Sequence, residues 1–371
     1  MTWLETARGI EALEVADLDP VLVGALEAGA RPAPVNFHVP TFKAFATSEI
    51  SPDRKFGGKS AWPAVSITGG DCKLQCDHCK AKILEPMIPA RTPEALWRVV
   101  NEQVAAGAQG MLLTGGSNHR DEVEYDAFYP TIRSIKDAFP AFRIAIHTAL
   151  VSRDAARRME ESGIDAAMLD VIGAQDTVQQ VYHLKRPVAD FEESLRHLTE
   201  TSLKVVPHIV IGLHYGRMLG EWNALEMVAR HRPAALVLVV VMPFYAPANR
   251  SFETVPSHAV GRFFLDARAQ LPDVPLLLGC ARPPGRTKVE IDAYAVMAGF
   301  NGIAHPSDGT VELAVRLGRD VRVTPACCSI AVGDEVLALE DGTGAVTIDV
   351  ADFVRREATG NALRGIPIVT A

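Results

Sequence analysis

Eight runs of β-branched and other apolar residues recur along the chain, each separated from the next by enough residues to hold a helix, and this rhythm limits the fold more than any other feature. The runs cover 64–70, 110–116, 143–149, 166–173, 205–212, 235–244, 275–281 and 302–306. Between them lie amphipathic segments such as 92–106, with Leu96, Val99, Val100 and Val104 on one stripe, and 154–162, which leads into the turn ESGID. Runs as continuously apolar as ALVLVVVMPF suit a parallel sheet covered by helices, and parallel neighbours require long crossovers. The expectation is an α/β fold, a (β/α)8 TIM-type barrel, with a doubly wound open sheet as the alternative because periodicity predicts strands but not closure.

A chain of 371 residues is long for one simple domain, but barrels of this kind commonly exceed 250 residues as a single unit. The rhythm places the barrel at 61–318. Residues 1–60, with one helix and then an irregular Pro-rich stretch ending near SPDRKFGGKSAWP, read as an N-terminal cap. Residues 319–371 read as a small C-terminal extension of short β-like pieces, Gly turns and a last helix near 352–358. The net charge of −8 and the lack of a Lys/Arg cluster argue against nucleic-acid binding. No apolar stretch reaches membrane-spanning length, and the first residues are acidic, so the expected setting is cytoplasmic, with no membrane partner.

Six cysteines in such a chain point to metal ligation or catalysis before disulfides. Cys72, Cys76 and Cys79 share the loop after the first run in SITGGDCKLQCDHCKA, with C-x3-C-x2-C spacing. Loops that follow barrel strands form the active-site face. Three thiolates on one loop can ligate three irons of a [4Fe-4S] cluster and leave the fourth open to a small molecule. A structural zinc site is the competing reading, but zinc sites usually supply four ligands from paired knuckles.

This motif in this place resembles the radical S-adenosylmethionine (SAM) superfamily, with Cys72, Cys76 and Cys79 matching the cluster ligands. His78 stands where that family usually has an aromatic residue. The resemblance implies reductive cleavage of SAM to a 5'-deoxyadenosyl radical, fed by a reductant such as ferredoxin or flavodoxin. It also implies SAM-binding roles for Gly115, Gly116 and Ser117 after the second run, for Asp170 after the fourth, as a ribose ligand, and for Gly212 after the fifth, beside adenine. His147, His208 and His305 read either as substrate or radical-handling groups or as hydrogen-bonded interior histidines.

Cys280 ends the seventh run, and Cys327 and Cys328 are adjacent in TPACCSI. The three thiols are candidate ligands of a second [4Fe-4S] cluster, with Ser329, Arg282 or Arg286 as a further donor. Two considerations oppose this: buried cysteines often act as small hydrophobes, and adjacent side chains diverge on an extended strand. A barrel with a second cluster resembles biotin synthase and lipoyl synthase, which draw sulfur from it. The phrases TGGDCKLQCDHC, TGGS, DVIG, VYHLKRP, VPHIVIGLHYG and GCARPPGR together look like the archaeal-type two-protein lipoyl synthase family. Neither the C-x4-C-x5-C motif nor the RSSY serine of conventional lipoyl synthase is present.

The expected activity is therefore that of a sulfur-inserting transferase. Cys72, Cys76, Cys79 and Cys280 would be its catalytic residues, acting on an unactivated C–H position of a small-molecule or carrier-bound substrate. A second radical SAM protein is among the partners the resemblance implies. A radical SAM epimerase, mutase or lyase without sulfur transfer is the alternative enzyme, and a cluster-binding scaffold without turnover is the alternative class.

Overall fold

The structure, a computed structural model, describes residues 1–30, 33–39, 49, 62–242, 251–324 and 326–330. The chain begins with α1 (Trp3–Arg8) and α2 (Pro20–Ala28), followed by β1 (Val35–His38), β2 (Ala64–Ser66) and β3 (Ile88–Pro89). Then come α3 (Pro93–Ala105), β4 (Gly110–Thr114), α4 (Tyr129–Ala138), β5 (Arg143–His147), α5 (Arg153–Glu161) and β6 (Ala166–Met168). Next are α6 (Gln175–Gln180), α7 (Ala189–Thr199), β7 (Lys204–Val205), β8 (His208–Ile211), α8 (Glu221–His231) and β9 (Leu236–Val240). The last elements are α9 (Ser257–Gln270), β10 (Leu276–Leu278), α10 (Arg286–Met297), β11 (Gly302–Ala304), α11 (Thr310–Arg316) and β12 (Val321–Thr324).

Local chemistry explains these boundaries. Helix α3 starts where the Thr92 side chain accepts from Ala95 N and Pro93 fills the first turn, and it buries Leu96, Val99 and Val100. Helix α11 has Gly309 at its N-cap and so no capping side chain of its own. Glu49 supplies one from afar, accepting from Val311 N and Glu312 N at 3.3 and 2.9 Å. Helix α10 is buried along nearly its whole length between α9, α11 and α2.

Every ladder between the strands is parallel, in the order β3-β2-β4-β5-β6-β7 and β12-β1-β11-β10-β9-β8. The two rows are continuous. Pro207 interrupts the fifth strand, but Val206 N still donates to Ala167 O and His208 N to Leu169 O, so β7 and β8 run on as one line beside β6. The result is a TIM-type partial barrel, and among the described residues no ladder joins β3 to β12. All eight runs expected from sequence form strands, shorter than the runs themselves. Three more strands, β1, β3 and β12, extend the row beyond them.

The segment read as an N-terminal cap thus contributes a strand as well as helices. Strand β1 lies between β11 and β12, with Asn36 opposite Gly302 and His38 opposite both Ala304 and Thr324. Its Phe37 faces the outer core, so by strand alternation Asn36 and His38 face inward. Residues 40–61 other than Glu49, residues 243–250, and residues 331–371 with the expected Gly-turn pieces and last helix lie outside the described residues.

The barrel interior is filled by Trp62, Ala145, Ala166, Met168, Val206, Val237 and Leu277. Gly110 makes room for the indole: a Cβ there would lie 2.2 Å from the Trp62 ring. Because the strands are parallel, the ends of β1, β2, β4, β6, β8, β10, β11 and β12 all open toward one mouth. No described helix is long and apolar enough to cross a membrane.

Candidate active site at the barrel mouth

The loop after β2 carries Cys72, Cys76 and Cys79, held against the end of β4 by backbone contact. Lys73 N donates to Ser117 O at 2.8 Å, and the Cys72 thiol lies 3.7 Å from the same oxygen. Gly116 N donates to Thr68 Oγ1 at 2.7 Å. Only glycine fits at Gly116, since a Cβ would stand 2.0 Å from Asp71 O and 2.6 Å from Cys72 Cα. Gly115 is also tight, with a Cβ site 2.7 Å from the Ile67 side chain.

Burial pushes the Cys76 thiol well above its ordinary pKa, with Cys79, Asp121 and Cys72 adding to the rise. Burial likewise pushes Cys79 up to about 11, and Cys72 contributes there too. Three thiols within electrostatic reach of one another, in a site that opposes their ionisation, suit a cation that would discharge the strain.

His78 stacks on Tyr182 with ring centroids 5.2 Å apart, and its buried Nδ1 has no hydrogen-bond partner among the described residues. Burial holds its pKa down, against the pull of Asp170 and Asp77. The Tyr182 hydroxyl lies 3.5 Å from Asp170 Oδ2. Asp170 in turn stands 3.8 Å from His147 Nε2, and the His147 and His208 rings meet edge to face at 5.3 Å. Burial, then the neighbouring His147, lowers His208 to about 4. Gly212 ends β8 at φ +77°, where a Cβ would lie 2.2 Å from Val255. His78, Tyr182, Asp170, His147 and His208 thus form one contact chain leading away from the cysteine loop.

Beneath Cys76 sits an anchor that the sequence did not reveal. Asp77 accepts from Lys80 Nζ at 2.5 Å and from the Tyr215 hydroxyl at 2.8 Å, and lies 3.0 Å from His183 Nε2. Burial would raise its pKa, but the bonds from Lys80, Tyr215 and His183 outweigh that and hold the carboxyl below its usual range. The same hydroxyl lies 2.8 Å from Gln180 O, which puts the cysteine loop beside the end of α6 and the segment after β8.

Of the second cysteine set, Cys327 and Cys328 lie in the barrel interior, packed with Trp62, Val237 and Leu277. They lie in a turn, with Ile330 N donating to Cys327 O at 3.1 Å, so the divergence expected of an extended pair does not arise. Both thiols are free and close enough to perturb each other, and Ser329 Oγ donates to Cys327 Sγ at 3.1 Å. The bond from Cys328, with help from Ser329, lowers the Cys327 thiol and raises that of Cys328. Cys280, at the end of β10, is close enough for its charge to raise Cys328 further.

Neither arginine considered as a further donor is free to serve. Arg282 is buried and bonded to Asp292 Oδ1 at 2.5 Å, to Gly279 O and to Ala304 O. Arg286 pairs with Glu290 and Asp17 on the outer side of the barrel. His305, at the end of β11, is buried at φ +48° and accepts from Arg282 through its carbonyl.

Residues 66–226 match the family model of the Radical SAM superfamily. The chain carries a radical SAM domain. Among solved structures it resembles HydG, a maturase of the [FeFe]-hydrogenase, at a TM-score of 0.52 and 13% identity over 81% of this chain and 67% of that one. The methylornithine synthase PylB matches at a TM-score of 0.46 and 13% identity over 96% of both chains. SuiB of Streptococcus suis bound to S-adenosylmethionine matches at 0.43 and 10% identity over 74% of this chain and 53% of that one. No curated protein matches the chain.

The family implies a [4Fe-4S] cluster and SAM, and the radical SAM domain's residues fit both. Three thiols share the loop, an imidazole whose Nδ1 has no partner among the described residues stands beside the third, and Gly116 keeps the opposite wall to bare backbone. Among the described residues, no three His, Cys, Asp or Glu side chains surround a point closely enough for a single metal ion. A cubane makes a different demand, because each thiolate takes its own iron.

Proposed function

We propose that this radical SAM protein inserts sulfur into an unactivated C–H bond of a small-molecule or carrier-bound substrate. What supports this reading is the packing of Cys327 and Cys328 in the interior of the same barrel whose mouth holds the Cys72–Cys76–Cys79 loop, with Cys280 just after β10 of that barrel. A [4Fe-4S] cluster with SAM supplies a 5'-deoxyadenosyl radical to take the hydrogen, and a second cluster supplies the sulfur that replaces it. Cys72, Cys76 and Cys79 hold the first, and Cys280, Cys327 and Cys328 the second. The main chain at Gly115 and Gly116 receives the SAM amino group, Asp170 accepts from the ribose, and the Gly212 turn leaves space for adenine. The apolar lining of Val237, Leu277, Met168 and Trp62 keeps water and stray hydrogen donors from the reacting carbon. Electrons come from a ferredoxin- or flavodoxin-like donor, and a second radical SAM protein acts alongside.

The test uses clusters rebuilt with 34S-sulfide, a strong reductant, SAM and an octanoyl-lysine peptide as probe. The wild-type protein should form 5'-deoxyadenosine and place 34S in the octanoyl chain. Cys280→Ala should keep the first product and lose the second, while Cys76→Ala should lose both. Deoxyadenosine without sulfur transfer in the wild type would move the reading to an epimerase, mutase or lyase.

A further inference from the structure

Strand alternation sets three polar side chains next to one another at the barrel mouth. Ile144 and Ile146 of β5, Ala167 and Leu169 at β6, and Ile209 and Ile211 of β8 pack in the outer core. His147, Asp170 and His208 therefore point inward, one step toward the mouth from Ala145, Met168 and Val206, which fill the interior. The three strands are neighbours, with His147 opposite Met168 and Asp170 bridged to His208. The two imidazoles are held alike, His147 Nδ1 lying 3.1 Å from Thr148 O and His208 Nδ1 3.1 Å from Val206 O. A carbonyl oxygen only accepts, so each Nδ1 carries the proton, and Nε2 of the neutral ring keeps its lone pair. Among the described residues neither Nε2 has a hydrogen-bond partner. That of His147 stands 3.8 Å from Asp170 Oδ1, too far for a bond, and His208 bonds through Nδ1 alone. Both rings are half-buried, so a molecule in the mouth can reach them.

We infer that His147 and His208 are the substrate-recognising pair at the barrel mouth, their Nε2 atoms taking an amide N–H of the substrate beside Asp170; this rests on the radical SAM reading of the barrel and not on sulfur transfer. The surrounding charge agrees. The titratable groups acting on His208 are His147 and Asp170, and no lysine or arginine is among them. Burial, then His147, lowers His208 to about 4, so it offers no positive charge at neutral pH. A carboxylate or phosphate would meet lone pairs and an acidic side chain there, with nothing to neutralise it. An amide N–H would instead satisfy a nitrogen otherwise left idle. Such a site discriminates sharply, because a molecule of the same shape without the donor leaves a half-buried acceptor unpaired.

The experiment uses the full, iron-loaded chain with SAM and no reductant, so that nothing turns over, and follows binding by calorimetry. The probes are N-methyloctanamide and methyl octanoate, which differ only in an N–H against an ester oxygen, together with octanoate. Wild-type protein should bind the amide about tenfold more tightly than the ester, equivalent to about 1.4 kcal/mol, and should bind octanoate more weakly than the amide. The double variant His147→Phe/His208→Phe, which keeps a ring at each position, should bind amide and ester equally with its iron content unchanged. The comparison of probes on the wild type needs no variant, so it decides even if the double variant folds poorly. An amide that binds no better than the ester, or octanoate that binds as well as the amide, overturns the assignment. So does a preference for the amide that survives in the double variant. None of these outcomes depends on 34S transfer, whose failure would remove sulfur insertion and leave the role of the pair intact.

Discussion

The glycine at 116 shows how little tolerance the cysteine loop has. Any side chain there would meet Asp71 O and Cys72 Cα at distances no relaxation of a flexible neighbour could absorb, because both obstacles are backbone. Gly116→Ala should therefore push the loop out of place. Iron at the first cluster should fall by at least half relative to wild type while circular dichroism stays unchanged. Normal iron content with normal deoxyadenosine yield would mean that the loop tolerates the displacement. At this scale much of the site was legible, because Cys72, Cys76 and Cys79 lie within eight residues and their spacing carries the chemistry directly. What escaped were residues whose role depends on distant partners. Asp77 lay inside the motif, yet it means little until Tyr215, 138 positions away, donates to it. Tyr182 acquires its place only by stacking on His78.

Among the elements, the long runs were readable and the short strands were not. A run such as 235–244 announces a buried strand by its composition, whereas β3 has two residues and β1 follows a Pro-rich stretch that reads as irregular. Nor does sequence disclose that α11 is capped from outside. Burial raises the Glu49 carboxyl to about 7, even though the Glu312 and Val311 amides favour its charged form. A raised acid binds its proton more tightly in the folded chain, so its contribution to stability is complete below its unfolded pKa and is lost as pH climbs through 7. The window from about pH 4.5 to 7 should thus see up to about 3 kcal/mol drain away. Glu49→Gln should flatten that slope in urea titrations taken across the same range. An unchanged slope in the variant would assign the pH dependence to another group.

For the whole molecule, parallel strands bring cysteines from distant parts of the sequence into one barrel, and the metal count tests whether both sets carry iron. Wild-type protein prepared without oxygen should hold about eight irons per chain. Removing either cysteine trio should leave about four. A wild-type value near four would confine the chemistry to the Cys72 loop. The family-level reading was visible from sequence because its signature is local, but the order of the strands was not, since β1 takes its place in the row between β11 and β12. That placement also sets a timetable. During synthesis β2 through β10 can pair with neighbours made shortly before or after, while β1 leaves the ribosome early and waits for residues 302–304 and 321–324. His38 and the Cys327–Cys328 turn cannot meet until almost the entire barrel has been translated. The Cys327–Cys328 end is therefore a product of the finished chain, whereas the Cys72 loop and the β4 backbone that braces it are complete when barely a third of the polypeptide exists.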